Sequence, residues 1–131
     1  MQLYLLIALG GALGSVLRFF LSQVFASTPL GEVFPLGTLV INVTGSFLIG
    51  FIATFTGPEG RWFAGSETRA FWMIGICGGY TTFSSFSLQT LSLAQGGEWL
   101  HAGVNIVASV VLCLVAVWLG HVLATLLVSA R

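Results

Sequence analysis

The sequence has no lysine and no aspartate. Four arginines (Arg18, Arg61, Arg69, Arg131) and four glutamates (Glu32, Glu59, Glu67, Glu98) are its whole fixed charge. That is 6% of 131 residues, against about 25% in soluble globular domains. A soluble fold would have almost no polar surface to show to water, whereas in lipid apolar side chains can face outward. Net charge is zero, which gives no electrostatic reason to bind nucleic acid. Cysteine is scarce too. Cys77 and Cys113 both lie inside apolar stretches, so they read as buried free thiols and not as a disulfide framework. No Cys/His spacing matches a zinc site. Without aspartate there is no Ser/His/Asp set, and there is no phosphate-binding glycine loop. An enzyme is not expected.

What remains is apolar: 56% of the residues are hydrophobic. A membrane-crossing helix needs about 20 mostly apolar residues. Four segments qualify, running roughly from Leu3 to Phe25, Val33 to Phe55, Phe71 to Leu93 and Leu100 to Val128. The first lacks a basic flank and is too long for a signal peptide, so it reads as a span. Residues 1–131 form one predicted all-α domain of four transmembrane helices. The turn formers fall between the spans, at Ser27–Glu32, at Gly57–Arg61 in a link ending near Arg69, and at Gln95–Glu98. Trp62, Trp72 and Trp99 sit at predicted span ends, as interfacial aromatics do. Arg61, Arg69 and Arg131 share the side of the termini while Arg18 leans to the other, a weak bias toward cytoplasmic termini that leaves insertion both ways open.

Four helices pack around their own side chains and leave no lumen, which points to a homo-oligomer, most simply a dimer. Gly10 with Gly14, and Gly75 with Gly79, are small-xxx-small pairs that let helices approach closely, within a subunit or between subunits.

The third segment carries the densest polar chemistry, Gly78-Gly79-Tyr80-Thr81-Thr82-Phe83-Ser84-Ser85-Phe86-Ser87. Two glycines inside a helix cost roughly 2 kcal/mol relative to alanine. A break there would bring carbonyls and hydroxyls to the bilayer midplane, where broken helices line ion or substrate sites. Phe83 and Phe86 share a face if helical, and aromatic ring edges are positive. In the second segment Asn42 lies mid-span. Its amide either donates to an anion or joins helices. In the fourth, Asn105, Ser109 and Cys113 recur every four residues as a polar stripe, with His121 beyond it near the surface. Arg18 either snorkels to the interface or lines an anion vestibule. No span contains Asp, Glu or Lys, so the usual carboxylate of proton-coupled transport is missing.

The 78–87 motif closely resembles the signature of the CrcB/Fluc family of fluoride channels. The first segment, with Gly10-Gly11, Gly14 and Arg18, and the second, with Gly37-Thr38, Asn42, Gly45 and Gly50, are similar to that family as well. The resemblance covers essentially the whole chain. It implies an antiparallel, dual-topology homodimer in a bacterial inner membrane, with two pores that let fluoride leave the cytoplasm passively. It implies a broken third helix and a central sodium ion held by the backbone carbonyls of Gly78 and Thr81 from both subunits. The pore-lining set it implies is Phe83, Phe86, Asn42, Ser109, Cys113, Asn105, Thr82 and Arg18, with Cys113 departing from the family's usual hydroxyl. Two other readings fit the size and span count: a small multidrug-type exporter, and an assembly subunit without transport. The missing intramembrane carboxylate opposes the first, and the polar third segment opposes the second.

Overall fold

The computed structural model describes residues 1–130; Arg131, counted above in the charge bias, lies outside the described residues. Every element is helical: α1 (Gln2–Ala26), α2 (Leu36–Phe55), α3 (Ser66–Arg69), a π-helix (Ala70–Cys77), α4 (Gly78–Tyr80), α5 (Phe83–Gln95) and α6 (Trp99–Ser129). Among the described residues α1, α2 and α6 are long and apolar enough to cross a membrane. The remaining predicted span is divided. Its helix starts at Ser66 instead of near Phe71 and passes through the π-helix to Tyr80; Thr81 and Thr82 are extended, and helix resumes at Phe83.

The interruption is not where the glycines alone place it. Gly78 and Gly79 are both helical, Gly78 at φ −65° and ψ −37°. The backbone leaves the helix at Thr81 (φ −84°, ψ 159°) and Thr82 (φ −154°, ψ 115°), two adjacent β-branched residues whose crowded Cβ atoms favour extended backbone.

Most large apolar side chains point outward, including Leu13, Phe19, Ile74, Val107 and Leu114. The buried set is small and mostly short: Ile41, Ala102, Ala116, Ala124, Tyr80 and Phe86 among the apolar residues, with Thr38, Asn105 and Ser109 beside them. This is the inverse of a soluble protein and suits lipid, where helices associate through close backbone packing.

The glycine pairs make that packing within the chain. A Cβ on Gly10 would stand 2.7 Å from the Phe71 carbonyl oxygen and 3.0 Å from Gly75 Cα. One on Gly14 would stand 2.8 Å from Tyr80 N, and one on Gly79 would stand 2.5 Å from the Gly11 oxygen. Gly10–Gly14 and Gly75–Gly79 therefore form a seam between α1 and the π-helix/α4 stretch. On the other side of the fold, Gly50 meets the backbone of Val117, and Gly120 meets the backbone of Phe47 and Phe51, so α2 and α6 lie equally close. Neither glycine pair remains free to explain a second copy.

Ends and links are tied by polar contacts. Thr28 donates from Oγ1 to the Phe25 carbonyl at 2.7 Å where α1 ends. Arg69 donates to the Ala53 carbonyl at 3.1 Å and to Thr56 Oγ1 at 2.7 Å, joining the start of the divided segment to the end of α2. Arg61 donates to the Leu127 carbonyl at 3.3 Å, which places it on the terminus side as read from the sequence. His121 is exposed and meets Thr54 Oγ1 at 2.8 Å.

Candidate functional site

Breaking a helix frees backbone groups that lipid cannot satisfy. Here other helices and nearby side chains take them. Asn42 on α2 donates from Nδ2 to the Thr82 carbonyl at 3.0 Å, and Thr82 N–H donates to Asn42 Oδ1 at 2.8 Å. The Thr82 hydroxyl accepts from Ser85 N–H at 3.1 Å, an N-cap that starts α5. On α1, Arg18 Nε donates to the Gly79 carbonyl at 3.1 Å and the Ser15 hydroxyl reaches the same oxygen at 3.4 Å. The guanidinium thus stands at the C-terminal end of a helix, where the macrodipole favours positive charge. Tyr80 is buried, with its hydroxyl 2.9 Å from Thr44 Oγ1.

The carbonyls of Gly78 and Thr81 are among those that lose their helical partners in this arrangement. In an unbroken helix Gly78 would accept from Thr82 N–H and Thr81 from Ser85 N–H. Those donors go instead to Asn42 and to the Thr82 side chain. Gly78 and Thr81 both border the same cavity.

That cavity, about 400 Å³, lies against the break. Its walls include Asn42 and Ser46 from α2, Cys77 and Gly78 from the incoming helix, Thr81 and Thr82 from the break, Phe83 and Phe86 from α5, and Ser109 and Cys113 from α6. No charged side chain lines it among the described residues. Gly45 on α2 makes room, because a Cβ there would collide with Thr81 Cγ2 and stand 3.1 Å from the Tyr80 ring. The Phe83 and Phe86 rings are 5.3 Å apart with an interplanar angle of 48°. Phe86 is 8% exposed and Phe83 77%, so the pair spans from core to outer surface.

Of the residues singled out from the sequence, Asn42, Gly78, Thr81, Thr82, Phe83, Phe86, Ser109 and Cys113 come together here. Asn105 and Arg18 do not line the cavity. Asn105 is buried one turn behind Ser109. It donates to Thr90 Oγ1 at 2.8 Å and accepts a long 3.5 Å hydrogen bond from the Ser109 hydroxyl. Thr90 in turn donates to the Phe86 carbonyl at 2.8 Å. The polar stripe of α6 therefore begins as a helix-to-helix tie and opens into the cavity only from Ser109 onward. Ser46 was missed, although it follows Asn42 by one turn on the same face.

An all-helical membrane protein with an uncharged, hydroxyl-bearing cavity at an interrupted helix is thereby defined. The chain belongs to the family described as CrcB-like protein, Camphor Resistance (CrcB), whose profile matches residues 5–121. It is 63% identical over 131 residues to the fluoride-specific ion channel FluC of Opitutus terrae, covering 100% of this chain and 98% of that one. It is 61% identical to the FluC channel of Paramagnetospirillum magneticum, covering 97% and 98% respectively. The FluC channel of Rhodospirillum rubrum is 60% identical, with 95% of each chain covered. All three are named as channels, not enzymes, and the membership agrees with the resemblance carried by residues 78–87.

Proposed function

We propose that this protein is a passive fluoride channel. The observation that carries this reading is the cavity, which gathers neutral donors and aromatic rings from four parts of the chain with no charged side chain among them. Fluoride is small and holds its water tightly, so it leaves water only where other donors replace that shell. Here the second N–H of Asn42, the hydroxyls of Ser46 and Ser109, and the edge of Phe86 serve. Neutral donors hold the ion weakly enough to release it to the next site, which conduction requires. The names of the relatives support fluoride as the ion.

The finer reading has the divided segment crossing the membrane as the broken third of four spans, in a bacterial inner membrane. Two copies assemble antiparallel and form two pores. Phe83, exposed in the single chain, is a surface that a partner would cover. A sodium ion fits the carbonyls of Gly78 and Thr81, whose helical donors go elsewhere, since carbonyl oxygens suit hard cations. When bound, such an ion supplies positive charge near the anion path and ties the two copies together. Arg18, 3.1 Å from the Gly79 carbonyl, serves the break from behind and need not meet the anion.

The test is fluoride release from liposomes holding only this protein, followed with a fluoride electrode against a chloride control. Fast release of fluoride and not chloride is expected. No release from folded protein overturns the reading, and release that needs a proton gradient favours an exporter.

A further inference from the structure

We propose that Cys77 and Cys113 form a binding site for a soft monovalent cation of the copper(I) class, inside the same cavity. The two thiols come from separate elements, the π-helix and α6, and both border one space of about 400 Å³. Neither is in a disulfide. Cys77 is 3% exposed, and its sulfur has no hydrogen-bond partner among the described residues.

Close contacts fix their relative height. Gly45 of α2 packs on Thr81, and Gly50 packs on Val117. Cys77 lies one turn before Thr81 on a segment running against α2, which brings it level with the part of α2 near Ile49. Cys113 lies one turn before Val117 on α6, which runs with α2, and so it is level with Ser46. Cys77 and Cys113 thus lie within about one helical turn, roughly 5 Å, of each other in level along the axis of α2. Ser46 and Ile49, at those two levels of α2, border the same cavity.

Two soft sulfur donors facing one cavity suit a d10 monovalent ion, which accepts two-coordinate sulfur ligation; hard cations prefer the carbonyl oxygens nearby. In the binding step one thiol loses its proton to water and the other donates a lone pair with its proton kept. Two sulfur–metal bonds form, the ion sheds its water, no electron is transferred, and the site stays neutral as a low-dielectric setting favours.

Silver(I) is the probe, in chloride-free buffer with purified detergent-solubilised protein. One silver per chain by native mass spectrometry is expected, with the more accessible Cys113 protected from N-ethylmaleimide. Cys77→Ser and Cys113→Ser should each weaken binding at least tenfold, and Cys113→Met should restore it by returning a soft sulfur. Equal silver affinity in the parent and both serine variants, or silver that leaves Cys113 unprotected, overturns the site. Restoration by Cys113→Met separates lost ligation from a damaged fold. A second arm rests on the channel reading: silver should block fluoride release from parent liposomes and spare Cys113→Ser, each measured against its own silver-free rate. Because the binding arm needs no transport, failure of the channel reading leaves the site to be judged by mass and protection alone.

Discussion

Asn42 and Thr82 are joined by two opposed hydrogen bonds, 3.0 and 2.8 Å long, so one side-chain amide replaces the helical partners that the break removes. The two roles read for Asn42 from the sequence therefore coexist at one residue. Its carbonyl oxygen and one N–H hold the break, and its remaining N–H is left for the cavity it borders.

Replacing that amide separates the roles. Asn42→Asp keeps an acceptor for Thr82 N–H, loses the donor to the Thr82 carbonyl, and sets a negative charge beside the anion path. Fluoride release should fall by at least about tenfold, equivalent to ~1.4 kcal/mol on the barrier. Asn42→Leu leaves both backbone groups unsatisfied and should cost roughly 2–4 kcal/mol of stability, read as thermal unfolding in detergent. Unchanged release in the aspartate variant would put Asn42 outside the path.

Phe86→Ile should abolish release while the protein stays folded, because a buried aliphatic group fills most of the space but presents no positive edge. Normal fluoride release from well-folded Phe86→Ile would exclude the ring as part of the path.

The glycine seam gives a matched pair of tests. Gly10→Ala drives a methyl toward the Phe71 carbonyl at 2.7 Å and should lower the unfolding temperature by the equivalent of ~1–3 kcal/mol. Its neighbour Gly11→Ala meets no atom within 4 Å and should be neutral or gain up to about 1 kcal/mol from helix propensity. Equal effects at the two positions would mean that α1 does not pack on the π-helix as described.

Thr82→Ala removes the cap of α5 and should cost about 1 kcal/mol, whereas Thr82→Ser keeps the accepting oxygen. Hydrogen exchange at the Ser85 amide should quicken in the alanine variant and not in the serine one.

The sequence made the apolar segments legible, because a run of outward-facing residues needs no partner to be recognised. It also singled out eight residues that share the cavity, because so many hydroxyls and paired phenylalanines are costly in lipid without a role. The start of the divided segment was not legible. Ser66–Arg69 is polar, and its helix shows itself only through the tie from Arg69 to Thr56 and Ala53. Gly78-Gly79 reads locally as a helix breaker, but Gly79 is held in helix by its close approach to Gly11 of α1, and the break moves to the two threonines. Asn105 read as part of a continuous track because spacing shows which residues share a face; it does not show that Asn105 is tied to Thr90 of α5 and stays out of the cavity wall.

The groups that hold the break come from Ser15 and Arg18 on α1 and from Asn42 on α2. All of them precede the break in the chain. A ribosome working from the N-terminus makes the holders first, so the partners of the extended threonines exist before the threonines do. Reversing that order, by a circular permutation that places residues 66–130 ahead of α1, would make the peptide groups of the break before anything that receives them. The linear order of the helices is in this sense part of how the site is built.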